Sequence, residues 1–235
     1  MRALSTSELL DLWERGAGLC PLDQGLLALN AVLPDAAAES LADWPLGRRN
    51  RSLLELYCVC FGQRLEGWSA CAYCGEKMEF DIDSRALMSQ VMEGRGEATV
   101  TVRDRSFRLP TSRDLAAAAQ AGEISGAAIR VLERCQVSGE SSAAWPPAEV
   151  QEIEEKMALA DPLAETRLAL RCPDCGHEAE ETLDIAGFVW NQIAGRTRRL
   201  LWEIHSLATA YGWTEAQILS LSPARRARYL GMVQA

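Results

Sequence analysis

The chain has 235 residues, 48% of them apolar and 24% charged, with a net charge of −9. That is enough chain to bury a core in one or two domains, and its acidity argues against broad binding to nucleic acid or to anionic membrane surfaces. No stretch reaches the ~18 apolar residues of a membrane span, and the N-terminus reads as an amphipathic helix rather than a signal peptide, so the expected location is the cytoplasm.

Ser5-Thr6-Ser7-Glu8 is a capping box, followed by Leu9, Leu10, Leu12 and Trp13. The helix it opens is expected to reach Arg15 and to stop at Gly16. Pro21 suits a first helical position, and Leu22, Leu26, Leu29 and Leu33 then share one face until Pro34. Ala36 to Trp44 reads as a short helix or loop. Between Gly47 and Arg64, Leu53, Tyr57, Cys60 and Phe61 keep helical spacing.

The period changes after Trp68. Met78, Phe80 and Ile82 alternate with Glu79, Asp81 and Asp83, which predicts a strand with one dry face. Ala98-Val100-Val102 and Arg105-Phe107-Leu109 predict a hairpin bending near Asp104. Thr111 caps a helix expected to end at Gly122, and a further helix covers Ile124 to Cys135. Val137 to Pro147 reads as a loop, and Ala148 to Ala160 as a helix burying Val150, Ile153 and Met157. Leu168 and Leu170, then Leu183 and Ile185, are strand-like. A helix of about six turns follows, from Phe188 to Tyr211, with Gly212 ending it. Thr214-Glu215-Ala216-Gln217 is a second capping box, and Ser222-Pro223 opens a last helix.

Two short stretches carry the strongest signal: Cys71-Ala72-Tyr73-Cys74-Gly75 and Cys172-Pro173-Asp174-Cys175-Gly176. Two residues between thiolates let one tight turn aim both sulfurs at one ion, and the glycine permits the positive φ that closes the turn. Together the two turns offer Cys71, Cys74, Cys172 and Cys175 to a single structural zinc ion, pinning the neck of a 97-residue loop. A redox dithiol, or half-sites shared in a dimer, are the rival readings. The redox role usually needs a thiol at a helix start, and strand-like residues flank both pairs. His177 is a possible substitute ligand. Cys58, Cys60, Cys20 and Cys135 read as packing residues, and His205 as structural or exposed.

The expected fold is α+β, mainly helical, with a small antiparallel zinc-ribbon-like sheet built from the two Cys-x-x-Cys knuckles. It divides into an N-terminal helical part (1–66), the first knuckle and hairpins (67–110), a helical insertion (111–163), the second knuckle (164–186) and a C-terminal helical part (187–235), acting as one interdependent unit. No phosphate-binding loop, nucleophile signature or catalytic metal motif is visible, and Gly94-Arg95-Gly96 is too short to count. An enzyme, and a small-molecule substrate, are therefore not expected. The acidic stretches around the knuckles argue against a zinc-ribbon nucleic-acid binder, which stands as an alternative. From Arg196 onward six arginines meet two glutamates, a net +4 on a body of −13. This suits contact with an acidic partner or a solvated helix face. Seven tryptophans can serve a core or an interface, and spacing does not divide them.

The C-terminal run Ile204 to Leu219, with Leu221 to Arg226 and Tyr229-Leu230, resembles the ending of baseplate hub assembly proteins of T-even-type contractile-tailed phages, and similar endings occur in tail-assembly chaperones. Phe107 to Leu115 is also similar to that family. Leu12 to Gly16, Pro45-Leu46-Gly47-Arg48-Arg49-Asn50 and the first knuckle resemble proteins encoded in phage-tail-like contractile injection system clusters. The resemblance implies a non-enzymatic chaperone for the baseplate hub, touching a hub or tape-measure protein. Its alternative is a stoichiometric baseplate component incorporated in the particle. The last two helices are then the expected contact, with Trp202, Tyr211, Trp213, Arg225, Arg226 and Tyr229 as candidates. Packing within their own unit is the competing role.

Overall fold

The computed structural model describes residues 1–34, 38–89, 99–120, 126–139 and 145–233. Expectations for Ala36, Gly94 to Gly96, Ala98, Gly122 and Ile124 lie outside these residues, as do 140–144 of the expected loop. The fold is mainly helical with small antiparallel sheets. Among the described residues, no helix is long and apolar enough to cross a membrane.

Helix α1 (Thr6–Gly16) starts where the sequence demands: Ser5 Oγ accepts the Glu8 N–H at 3.3 Å, and Glu8 accepts the Ser5 N–H at 2.8 Å. Helices α2 (Pro21–Val32), α3 (Ala38–Ala42) and α4 (Leu46–Phe61) follow. Helices α1, α2 and α4 gather around the first half of α9 (Ile185–Tyr211), with α3 packed on α2, and Leu12, Leu29, Leu53, Leu56 and Ile193 form the centre of this core. Helix α1 ends at Gly16 as expected, though without a left-handed cap conformation there. A Cβ there would stand 2.0 Å from the Trp190 ring, so the glycine admits that indole. Helix α9 begins three residues before the expected Phe188, because the Asp184 side chain accepts the Gly187 N–H at 3.1 Å.

The chain leaves this bundle through a hairpin, β1 (Arg64–Ala70) and β2 (Lys77–Asp83), and returns through a second, β6 (Thr166–Arg171) and β7 (Glu178–Leu183). These are separate two-stranded sheets rather than one shared sheet. Each buries its base in the bundle: Leu65 is fully buried there, with Ile82 and Leu183 packed beside it.

Between the hairpins, after α5 (Ser84–Ser89), sits a unit with its own core. Strands β3 (Thr99–Val102), β4 (Arg105–Arg108) and β5 (Gln136–Ser138) make a three-stranded sheet with α6 (Ser112–Gln120), α7 (Ala127–Cys135) and α8 (Pro147–Ala160). Val102, Phe107, Cys135 and Ile153 are buried within it. The hairpin turns at Arg103 and Asp104, with Arg103 at φ +56. Strand β5 corrects the loop expected from Val137: Gln136–Ser138 completes the sheet on the free edge of β4. The last core joins the second half of α9 to α10 (Glu215–Ser220) and α11 (Pro223–Val233) through Leu200, Leu207, Ile218 and Leu230.

A buried polar seam joins the inserted unit to the bundle. The N-terminus of α4 meets Asp161, whose Oδ2 accepts the Gly47 N–H at 2.8 Å, an acceptor where a helix presents unpaired donors. Only glycine fits here, since a Cβ on Gly47 would lie 1.6 Å from Asp161 Oδ1. Asn50 Nδ2 donates to the Leu163 carbonyl at 2.7 Å, and Arg49 Nη1 to Ser112 Oγ at 3.1 Å. Alongside, the Leu46 N–H donates to the Pro110 carbonyl at 3.0 Å, and Pro45 and Thr111 form a β-bridge.

Candidate metal centre

The two Cys-x-x-Cys-Gly stretches are the tips of the two hairpins, and they are built alike. In the first, the Cys71 N–H donates to the Glu76 carbonyl at 2.8 Å and the Gly75 N–H to the Cys71 carbonyl at 2.8 Å. In the second, the Cys172 N–H donates to the His177 carbonyl at 2.8 Å and the Gly176 N–H to the Cys172 carbonyl at 3.1 Å. Gly75 and Gly176 take φ of +78 and +71, the left-handed region that lets the sixth residue rejoin the ladder.

This geometry buries the first sulfur of each tip and leaves the second at the surface: Cys71 and Cys172 are buried, Cys74 and Cys175 exposed. The tips face each other so that buried meets exposed. Cys71 Sγ lies 3.7 Å from Cys175 Sγ, and Cys74 Sγ 3.5 Å from Cys172 Sγ. All four sulfurs fall within 4.8 Å of one another. A tetrahedron of sulfurs ~2.3 Å from a central ion has edges of about 3.8 Å, so the donor set can hold one metal ion. Met78, 1% exposed, closes the site from beneath with Leu170 and Ala179.

The sulfurs ionise unevenly. Amide N–H groups of Cys74 and Tyr73 aimed at its sulfur bring the Cys71 thiol down to about 6. The Glu76 amide lowers Cys74, but lost hydration and the neighbouring sulfurs outweigh it and push that thiol up to about 12. Cys175 is also raised, although the His177 amide pulls it the other way. Crowded thiols resist becoming thiolates together unless a cation shares their charge.

His177 stands outside the sulfur cluster; its ring stacks on Tyr73 of the facing tip, centroids 6.1 Å apart. Both tips lie between strands rather than at a helix start, and the full donor set comes from a single chain. Of the other cysteines, Cys135 is fully buried, Cys58 Sγ lies 3.0 Å from Ser84 Oγ, and Cys60 Sγ accepts the Leu4 N–H. Cys20 departs from the packed role expected of it: it is exposed at the start of α2. His205 is exposed.

The aromatic residues at the C-terminal end do not act as one group. Tyr211, Trp213 and Tyr229 pack on each other, with Tyr211 and Trp213 stacked at 4.7 Å and Tyr229 edge-on to Trp213 at 4.9 Å. Arg226 is 2% exposed, pairs with Glu203 at 3.3 Å and donates to the Leu221 carbonyl, so it braces its own unit. Trp202 and Arg225 are exposed. The seam role of Arg49, Asn50 and Asp161 escaped the sequence reading, because polar residues near helix ends normally face water. Gly47 was the available clue.

Two shallow grooves lie on the hairpins, one of about 400 Å³ between residues 76–79 and Arg171 and Pro173, the other of about 410 Å³ on the first hairpin. Among their lining residues Lys77 pairs with Glu79 at 2.8 Å, and Asp81 pairs with Arg64. No family model matches the chain, and no curated protein or solved structure matches it at a significant level.

Proposed function

We propose that the protein is a non-enzymatic assembly factor for the baseplate hub of a contractile phage tail or phage-tail-like injection system, its fold held by one structural zinc ion on Cys71, Cys74, Cys172 and Cys175. Four thiolates suit a borderline-soft ion with tetrahedral preference, and a closed four-sulfur shell leaves no position for a reacting water. When bound, zinc supplies cross-linking between the hairpins and no Lewis-acid chemistry. On the exposed hairpin strands Glu66, Glu79, Asp81, Glu178 and Glu180 are interleaved with Arg64, Lys77, Arg167 and Arg171, which leaves no basic stripe for the nucleic-acid alternative.

The observation that carries the reading is where the family-like stretches go. Pro45–Asn50 and Pro110–Ser112 lie more than fifty residues apart in sequence, yet they meet in the buried seam. One stretch resembles the baseplate hub family and the other proteins of contractile injection system clusters, and their meeting in one structural joint is what supports the reading.

The test is affinity capture of the tagged chain from its native cells, with mass spectrometry of the lysate eluate and of purified tail particles. Hub or tape-measure proteins in the eluate, with the chain missing from particles, is the expected result. Stoichiometric chain in the particles makes it a baseplate component instead. Tail proteins absent from the eluate, together with the chain absent from particles, would overturn the reading.

A further inference from the structure

Two exposed helix faces in this chain complement one another. On α9, Arg198, Leu201, Trp202 and His205 follow the i, i+3, i+4, i+7 spacing of one face, and all four are exposed. Trp202 is 50% exposed and Leu201 37%, large apolar side chains left in water on a helix whose other faces are buried. Arg199, also exposed, stands one turn before Trp202 and pairs with Glu203 at 3.5 Å along the helix. The face is therefore basic and aromatic in a chain of net charge −9.

On α8, Gln151, Glu154, Glu155, Ala158 and Leu159 are exposed at the same helical spacing. Leu159 is 79% exposed and sits beyond two carboxylates. The one lysine of this helix is drawn away: Lys156 pairs with Glu152 at 3.1 Å and donates to the Thr101 carbonyl at 3.1 Å. This second face is acidic with one protruding aliphatic side chain. Ile153 and Met157, on the opposite side of α8, are committed to the inserted unit's core, and the acidic face stays exposed, with Gln151 donating to Glu155 at 2.9 Å along it.

We infer that the protein associates with a second copy of itself, the acidic α8 face of one chain docking on the basic α9 face of the next. Leu159 packs beside Trp202, while Glu154 and Glu155 approach Arg198 and Arg199. Helix faces of this kind interlock side chain into groove, and Trp and Arg are the residue types that dominate such contacts. Because the two faces differ, the contact is head-to-tail, giving open chains or closed rings rather than a symmetric pair. The patch is small, so the contact is weak and salt-sensitive. This inference stands apart from the baseplate reading.

Sedimentation equilibrium of the full chain, at about 10 to 500 µM protein and at about 50 and 500 mM salt, tests it. The expected result is a mass that rises with concentration at low salt and much less at high salt. Trp202→Ala should weaken association about tenfold or more. Arg198→Glu with Arg199→Glu reverses one face, and Glu154→Arg with Glu155→Arg reverses the other. Each double variant alone should stay folded and monomeric, and an equimolar mixture of the two should associate again. A wild-type chain that is monomeric throughout, association that survives either reversal, or a mixture that fails to recover would each overturn the inference. So would a monomeric wild type that binds a synthetic Glu/Leu amphipathic helical peptide, which would give the α9 face to a foreign partner.

Discussion

Asp114 is 1% exposed and surrounded by donors: Arg108 Nη1 at 2.6 Å, Arg134 Nε at 3.0 Å, and the Thr111 N–H and hydroxyl at 3.0 and 2.8 Å. Burial alone would raise its pKa, but the Arg108 and Thr111 hydrogen bonds outweigh it and hold the carboxylate well below its usual range. A carboxylate lowered by folding stabilises the native state fully above its unfolded pKa of about 3.9, and that contribution is lost as pH falls further. Asp114→Asn should cost about 1–3 kcal/mol at pH 7, a range set by hydrogen bonds to a charged group. Both arginines are partly exposed, at 34% and 46%, which keeps the effect at the lower end. Urea titrations should show the gap between wild type and variant narrowing below pH ~4; a gap constant with pH would contradict this account. Gly47→Ala is the steric counterpart. Its methyl would overlap Asp161 Oδ1, so it should destabilise by about 2 kcal/mol or more. In a thermal melt the Asp161→Ala background should cut that penalty, because the clash is removed; equal penalties in both backgrounds would place the strain elsewhere.

At the scale of elements, the hairpin tips are where the structure and the thiol chemistry meet. At pH 7 Cys71, at about 6, is mostly ionised, whereas Cys74, at about 12, keeps its proton and Cys175 lies above the usual thiol value. Zinc binding should therefore release protons at neutral pH, and affinity should fall on acidification. Calorimetry in buffers of different ionisation enthalpy measures this directly; a heat independent of buffer would contradict it. The tips were legible in the sequence because their chemistry is local: two sulfurs, a two-residue spacer and a glycine. The capping boxes at Ser5 and Thr214 were legible for the same reason, each being a bond between residues three apart. Strand β5 was not, since three residues next to a turn-rich segment carry no period and their pairing is set by the distant edge of β4. The single expected sheet became two hairpins because alternation reveals a strand's dry face but not which neighbour covers it.

For the whole molecule, the chain leaves the helical bundle at one hairpin and returns at the other, and the sulfur cluster closes that excursion at its outer end. The seam of Gly47, Asn50 and Asp161 closes it again, and α9 runs through both the bundle core and the C-terminal core. These shared elements lead us to expect one cooperative unit. Cys172→Ser should lower a single melting transition rather than create a second one. A cross-link closing about 100 residues contributes at most ~4–5 kcal/mol through loop entropy, and hairpin bases already anchored in the bundle reduce that. A separate early transition confined to the hairpins would show the tips to be independent of the rest.

The central claim is that the four cysteines share one zinc ion. The most direct measurement is the metal content of the purified full chain together with zinc X-ray absorption of its coordination shell. The account predicts one zinc per chain with four sulfur neighbours at about 2.3 Å, lost in Cys172→Ser. Absence of zinc from chain purified without chelator or oxidation, or a shell containing nitrogen or oxygen ligands, would contradict it.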